Sequence, residues 1–234
     1  MSDAGVTRIK RPQSLTALVA EQIRDMIVTE RFALGELLSE NIIAALLGVS
    51  RAPVRDAFVR LETEGLVKVQ PQRGTFVFQY DATELREICE LRQVLETGAL
   101  RIATACHRAG VIEALRRPIE AAEREGELDP KAYQPFDTAF HDGLVRSSGN
   151  NELMDAYGRI SGRVRAIRHR LTRLSAHVVE SQRMHRAILQ AIEDQRDDAA
   201  EAALVEHVYA GYRRLLATRG GQEPATDAVS AGSR

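Results

Sequence analysis

Tryptophan is absent from this 234-residue chain, and aromatic side chains of every kind make up only 5% of it. Any core is therefore assembled from Leu, Ile, Val and Ala, a set that suits packed helices. The two cysteines, Cys89 and Cys106, are too few for a disulfide framework. Both fall in predicted helices and read as small buried hydrophobes of a reducing compartment. No apolar run is long enough to span a membrane, and no signal peptide is visible, so the expectation is a cytoplasmic protein with no membrane partner. Positive charge is not in excess either: the formal net charge is −1. Global attraction to nucleic acid is weak, and a nucleic-acid site must be a local patch. Apolar residues nonetheless reach 44%, enough to bury real cores in one large domain or two ordinary ones.

The stretch that organises the chain is 38–77. Ser39 can cap a helix whose apolar residues Ile42, Ile43, Leu46 and Leu47 face a core. Gly48 stands at its stop, where a left-handed backbone is easiest for glycine. Ser50 is an N-cap candidate for a second helix that tolerates Pro53 in its first turn. That helix puts Val54, Ala57, Phe58 and Leu61 on one face, with Arg51 and Arg55 one turn apart on the other, and Gly65 ends it. Residues 66–69 and 75–78 alternate like short strands around a Gln70 to Gly74 turn. The pattern predicts a winged helix-turn-helix whose second helix enters the major groove by its N-terminal end. Arginine suits that place, because its fork pairs with guanine O6 and N7 or binds phosphate. Ser50 and backbone N–H groups at the helix start suit phosphate oxygens. Arg73 and Gly74 at the wing tip can approach the backbone closely. A merely solvated arginine face is the blander alternative.

Around this stretch, residues 1–12 read as a polar arm containing Arg8, Lys10 and Arg11, and Ser14 caps a buttressing helix reaching about Glu30. Beyond residue 79 there is no strand pattern. Helices are predicted over 83–109, 111–125, 130–148, 150–174, 175–195 and 196–218, with breaks at Gly110, Gly126 with Asp129-Pro130, Gly149-Asn150 and Asp197-Asp198. Mainly α architecture follows: a winged head with three helices and a small β-hairpin (1–79), an all-α six-helix antiparallel bundle (80–218) and a flexible tail (219–234). A dense run of Arg159, Arg163, Arg165, Arg168, Arg170 and Arg173 reads as a solvated face or dimer contact.

Four polar residues share the apolar helix faces. Asp137 and His141 lie four apart beside Phe136, Phe140 and Leu144; His185 shares a stripe with Val178, Ile188 and Ile192; His207 shares one with Leu204, Gly211 and Leu215. One Asp and three His suit Zn(II), Ni(II), Mn(II) or Fe(II) and leave a position open for water or an effector oxygen. Four separately hydrogen-bonded core residues remain the alternative, since spacing does not prove that three helices meet.

The segment GVSRAPVRDAFVRLETEGLV followed by PQRGTFV resembles the signature of the GntR family of bacterial transcription regulators. Where that family usually has Arg-Glu-Ala-Leu this chain has Arg55-Asp56-Ala57-Phe58, and Asn41 stands where arginine is frequent. The segments Phe136 to His141, Ser148 to Leu153 and His185 to Ile192 are similar to the effector domain of the FadR subfamily, the FCD domain, in its six-helix VanR-like group. That resemblance implies that Asp137, His141, His185 and His207 hold a divalent ion at the floor of an effector cavity. It further implies that Arg92 and Glu96, in LRQVLETGAL, correspond to the family's Arg and Glu, with Arg92 contacting a small carboxylate effector. An i,i+4 surface pair is the other reading of those two.

The expected protein is a homodimeric, sequence-specific DNA-binding transcriptional regulator, a repressor released from an inverted-repeat operator by a small carboxylate at a divalent-metal site. Its reading residues are Ser39, Asn41, Ser50, Arg51, Pro53, Arg55, Arg73 and Gly74. The rival is a helical metalloenzyme with an accessory DNA-binding head, since an Asp/His site can activate water. No GxSxG motif or evident general base accompanies the four residues. An architectural nucleic-acid binder with no ligand is a third option.

Overall fold

The computed structural model describes residues 14–126, 129–171 and 175–219. The arm at 1–12, the tail from 220 onward and Arg173 lie outside the described residues. Two compact units emerge: Met1–Gln79 with Asp155–His169, and Tyr80–Met154 with Arg170–Arg234.

The first unit holds α1 (Leu15–Val28), β1 (Leu37–Leu38), α2 (Glu40–Leu47), α3 (Arg51–Thr63), β2 (Val67–Gln70) and β3 (Gly74–Val77). Side-chain caps set its helix starts. Ser14 Oγ accepts from the Ala17 amide at 3.2 Å and Ser39 Oγ from the Ile42 amide at 3.4 Å. Gly48 closes α2 in the left-handed conformation, φ 65° and ψ 33°. Ile23, Ile27, Ile43, Val54, Ala57, Phe58, Leu61 and Leu66 form the interior. The apolar face of α2 is narrower than its sequence suggests: Ile43 and Ala44 are buried, but Ile42 is 68% and Leu46 45% exposed. A helix of two turns resting on α3 cannot cover four large residues. The hairpin is joined by a third strand that the sequence does not signal. β1 pairs antiparallel with β3, Leu37 opposite Phe76 and Leu38 opposite Thr75, giving the order β1-β3-β2.

The second unit is helical: α4 (Ala82–Glu125), α5 (Pro130–Ser147), α7 (Ser175–Glu193), α8 (Asp197–Arg219) and the ends of α6 (Asn151–Leu171). The two predicted helices over 83–125 are one kinked element. Its break is at His107, φ −141° and ψ 34°, not at Gly110. That kink uses a negative φ, which any residue adopts, so glycine is not required there. Asp81 and Glu84 form a reciprocal capping box at the start of α4, with bonds of 2.8 and 3.0 Å. Asp81→Ala should therefore cost about 1 kcal/mol, read as a lower denaturant midpoint at unchanged slope. Asp129 caps α5 through the Lys131 and Ala132 amides at 2.7 and 2.9 Å. Leu100, Leu115, Phe140, Leu144, Ile188, Ile192 and Leu204 make the principal core.

The middle of α6 belongs with the first unit. A Cβ added to Gly162 would meet Leu66 Cδ1 at 2.6 Å, and His169 Nδ1 lies 3.3 Å from Glu30 Oε1. The arginine run on this helix is not simply a solvated face: Arg159 is exposed, Arg163, Arg165 and Arg170 are half-buried and Arg168 is buried. Cys89 is buried as expected, and burial raises its thiol pKa; Cys106, however, is exposed. Among the described residues no helix is long and apolar enough to cross a membrane.

Candidate nucleic-acid interface and metal centre

At the reading head, Ser50 occupies the N-cap position of α3 with φ −73° and ψ 168°, yet its hydroxyl makes no capping hydrogen bond. It is exposed, as are Asn41, Arg51, Arg55, Arg73 and Gly74, while Ser39 and Pro53 are half-buried. The hairpin needs its glycine. Gly74 has φ +115°, and a Cβ there would sit 2.7 Å from Leu37 Cδ1. Arg73 donates its amide to Gln70 O at 3.0 Å, which tightens the turn.

The sequence reading missed Glu40. Its carboxylate accepts from both arginines: Arg51 Nη2 at 3.1 Å, Arg55 Nη2 at 3.1 Å and Arg55 Nε at 3.2 Å. The Arg55 hydrogen bond, above all, holds the Glu40 carboxyl below its ordinary range, and Glu40 in turn raises the Arg55 guanidinium. Glu40 was legible only as an acidic first-turn residue of α2. Its partners lie 11 and 15 residues away, beyond any helical spacing. The bridge sets both guanidinium forks at the start of α3.

In the second unit, Asp137 and His141 of α5, His185 of α7 and His207 of α8 converge. One ligand atom from each lies within 4.8 Å of all the others, and all four residues are buried. His207 Nε2 stands 3.1 Å from His141 Nε2 and 3.2 Å from His185 Nε2; Asp137 Oδ1 is 3.8 and 3.7 Å from those two nitrogens. Phe140, parallel to His185 at a ring separation of 3.7 Å, closes the site on the core side.

Neighbouring groups bias the imidazole tautomers. His141 Nδ1 lies 2.9 Å from Glu96 Oε2, an acceptor, so Nδ1 carries the proton and Nε2 presents a lone pair. Tyr133 Oη lies 3.1 Å from His185 Nδ1 and donates to Ser181 Oγ at 3.2 Å; its oxygen therefore accepts from Nδ1–H, which again leaves Nε2 as a lone pair. Ser181 Oγ points at Asp137 Oδ1 at 3.5 Å. Burial, and then the nearby His185 and Arg92, push the His207 pKa well down and keep that ring neutral, the form that ligates metal. Three imidazole nitrogens and a carboxylate oxygen converge closely enough for a single cation to share them. Donors at about 2.1 Å from one ion stand roughly 3.0–3.4 Å apart. The His207–His141 and His207–His185 nitrogen separations of 3.1 and 3.2 Å match this. The Asp137 separations of 3.7 and 3.8 Å are wider, and one carboxylate with three imidazoles is a donor set that suits a divalent metal.

Arg92 and Glu96 do form the i,i+4 pair, with Arg92 Nε to Glu96 Oε1 at 2.7 Å, but it is not a surface pair. Arg92 is 6% and Glu96 0% exposed. Glu96 reaches His141 Nδ1, and Arg92 Nη2 lies 2.9 Å from His141 Nε2. α4 thus brings a buried cation and a buried anion to the four ligand candidates.

Residues 15–77 match the gntR family of bacterial regulatory proteins, and residues 87–210 match the FCD domain. The Nta operon transcriptional regulator of Aminobacter aminovorans is 33% identical over 193 residues, covering 82% of this chain and 90% of that protein. A protein of Paenarthrobacter nicotinovorans named for repression of a D-xylose utilization operon is 33% identical over 217 residues, covering 90% and 94%. Among solved structures, a protein from Rhodococcus sp. RHA1 described as a GntR transcriptional regulator superposes with a TM-score of 0.74 at 25% identity, covering 86% of this chain and 97% of that one. These relatives are transcriptional regulators rather than enzymes, and the metalloenzyme reading falls with that finding.

Proposed function

This chain belongs to the GntR family of DNA-binding transcriptional regulators, with an FCD domain following its winged head in the sequence, and from that premise we propose a repressor released by a small carboxylate bound at a divalent-metal site. The observation that carries the proposal is the meeting of Asp137, His141, His185 and His207 beside the buried guanidinium of Arg92. Those four residues would hold the divalent ion, Zn, Ni, Mn or Fe, and the ion would supply a cationic position for a carboxylate oxygen. Arg92 adds a second, fixed positive charge on the same side, held by Glu96. Burial keeps water from competing for either.

In this reading, α3 of each protomer in a homodimer presents Ser50, Arg51, Pro53 and Arg55 to half of an inverted repeat. Ser39 and Asn41 of α2 face the same duplex, and Arg73 and Gly74 of the wing approach the sugar-phosphate backbone. A cytoplasmic place fits such a regulator. An effector that weakens DNA binding must itself bind the DNA-bound form more weakly, by the same factor. Repression is the sign that the named repressors among its relatives support.

The test is a thermal melt across a panel of hydroxy, sugar, dicarboxylic and aromatic acids, with divalent metal and after chelation. A ligand at one hundred times its dissociation constant should add about 2.7 kcal/mol of stability. We expect one class to do so only in the metal-loaded protein and to release a bound duplex. A metal-dependent melt with no carboxylate effect would reject the effector. No response to metal would reject the centre.

A further inference from the structure

Two side chains near the four ligand candidates belong neither to the expected metal set nor to the expected effector contacts. Tyr133 on α5 is 1% exposed and Ser181 on α7 is 2% exposed. Neither hydroxyl is needed to fill apolar space, and phenylalanine and alanine would serve the core as well. We infer that Tyr133 and Ser181 are a positioning relay that joins two ligands of the centre, His185 and Asp137, into one hydrogen-bonded unit. This inference rests on the metal reading proposed above.

The direction of the chain follows from its chemistry. In the ionised form that ligates a cation, Asp137 Oδ1 can only accept, so Ser181 Oγ donates to it at 3.5 Å. With its proton committed, Ser181 Oγ accepts from Tyr133 Oη at 3.2 Å. With that hydroxyl proton committed in turn, Tyr133 Oη accepts from His185 Nδ1 at 3.1 Å. Every donor points the same way: imidazole N–H to phenol, phenol to serine, serine to carboxylate. The carboxylate at one end therefore dictates the tautomer of the imidazole at the other, and His185 is left with its lone pair on Nε2, the atom that faces His207. His141 reaches the same state by a shorter route, through Glu96 directly. The relay links His185 Nδ1 to a carboxylate at a distance of two hydroxyls.

A relay predicts more than two separate hydrogen bonds would. Tyr133→Phe deprives His185 Nδ1 of its acceptor and Ser181 of its donor together. Ser181→Ala leaves the phenol proton uncommitted, so Tyr133 can turn it toward His185 and favour the wrong tautomer. Either break removes the reason for the Nδ1–H form. The double variant should consequently be no worse than Tyr133→Phe alone.

Two readouts test this on the full chain. The first is metal affinity, with Zn(II) and Co(II) alone as probes, by competition against a chromogenic chelator and by the visible Co(II) spectrum. Y133F and S181A should each lose about 10- to 100-fold, the double variant should match Y133F within about twofold, and the Co(II) band should change shape in all three. The second needs no metal: long-range proton–nitrogen correlation spectra of the chelated protein should show His185 as a single Nδ1–H tautomer in the wild type and as a mixture in Y133F. Unchanged affinity in Y133F, losses that multiply in the double variant, or a wild-type His185 protonated on Nε2 would each overturn the relay while leaving the metal centre standing. A fall in metal affinity matched by an equal fall in the melting temperature of the chelated protein would make the pair structural and overturn it too. Failure of the wild-type protein to bind either ion would instead remove the metal reading, and the relay with it.

Discussion

His207→Ala should abolish tight divalent-metal binding, lowering affinity by at least about 100-fold, since loss of a mere outer partner already costs 10- to 100-fold. His207 is the hub of the cluster: its Nε2 is the atom within 3.2 Å of both other imidazole nitrogens. Without it, His141 Nε2 and His185 Nε2 have lost their common neighbour, and α8 contributes no ligand among the four. The ring is buried and held neutral, so a cation can bind Nε2 with the ring's proton on Nδ1 and without net proton release. Its removal is thus a loss of coordination rather than of a surface charge. The measurement is a paired melt with and without Zn(II). Wild-type protein gains stability with the logarithm of free metal, about 1.4 kcal/mol per decade above the dissociation constant, and the variant should gain none over the same range. In the chelated state the variant bears only the cost of a partly filled cavity, so the two effects separate cleanly. Wild-type affinity in His207→Ala would mean that the ion, if bound at all, sits elsewhere.

How far such a centre can be read from a sequence depends on the range of the signal. Local chemistry is legible. Ser14, Ser39 and Asp129 cap the helices at which they stand, and Gly48 and Gly126 take the positive φ that makes them stops. The spacing of Asp137 and His141 puts both on one face of α5 because four residues are nearly one turn. Contacts across elements are not legible in the same way. Glu40 binds arginines on another helix, and Tyr133 meets Ser181 across 48 residues. The pairing of Arg92 with Glu96 is a local fact, but its burial is a tertiary one; an i,i+4 pair looks the same in sequence on either side of a helix. β1 is two residues long, too short for alternation to show. The kink in α4 misled for the opposite reason. Gly110 is a strong local signal with no structural demand behind it, whereas His107 breaks the helix at backbone angles any residue can take. The resemblance to a known family supplied what periodicity could not, that the three helices carrying the histidines meet.

Arg55→Ala should reduce affinity for the operator by about 10- to 100-fold, the range of one lost bidentate base contact. Arg55 is exposed and stands one turn into α3, and its Nε and Nη2 are both engaged by Glu40. That engagement points the fork without burying it. The stability of the protein should hardly move, within about 2 °C of the wild-type melt, because exposed pairs of this kind contribute little. Arg51 keeps its own bond to Glu40 at 3.1 Å in the variant, so the bridge between α2 and α3 persists. The duplex is one that the wild-type protein selects from a randomised pool, and the readout is fluorescence anisotropy over a series of salt concentrations. Two patterns of loss distinguish what Arg55 touches. If it reads a base, affinity falls for the selected duplex but hardly for a scrambled one, and the salt slope is unchanged. If it binds phosphate, affinity falls about equally for both duplexes, and the slope of log affinity against log salt drops by about one. Unchanged affinity at every salt concentration would remove the start of α3 from the DNA interface. Glu40 would then be a lock on a pair of arginines that never meet a duplex, and the reading surface would have to lie elsewhere on the winged head.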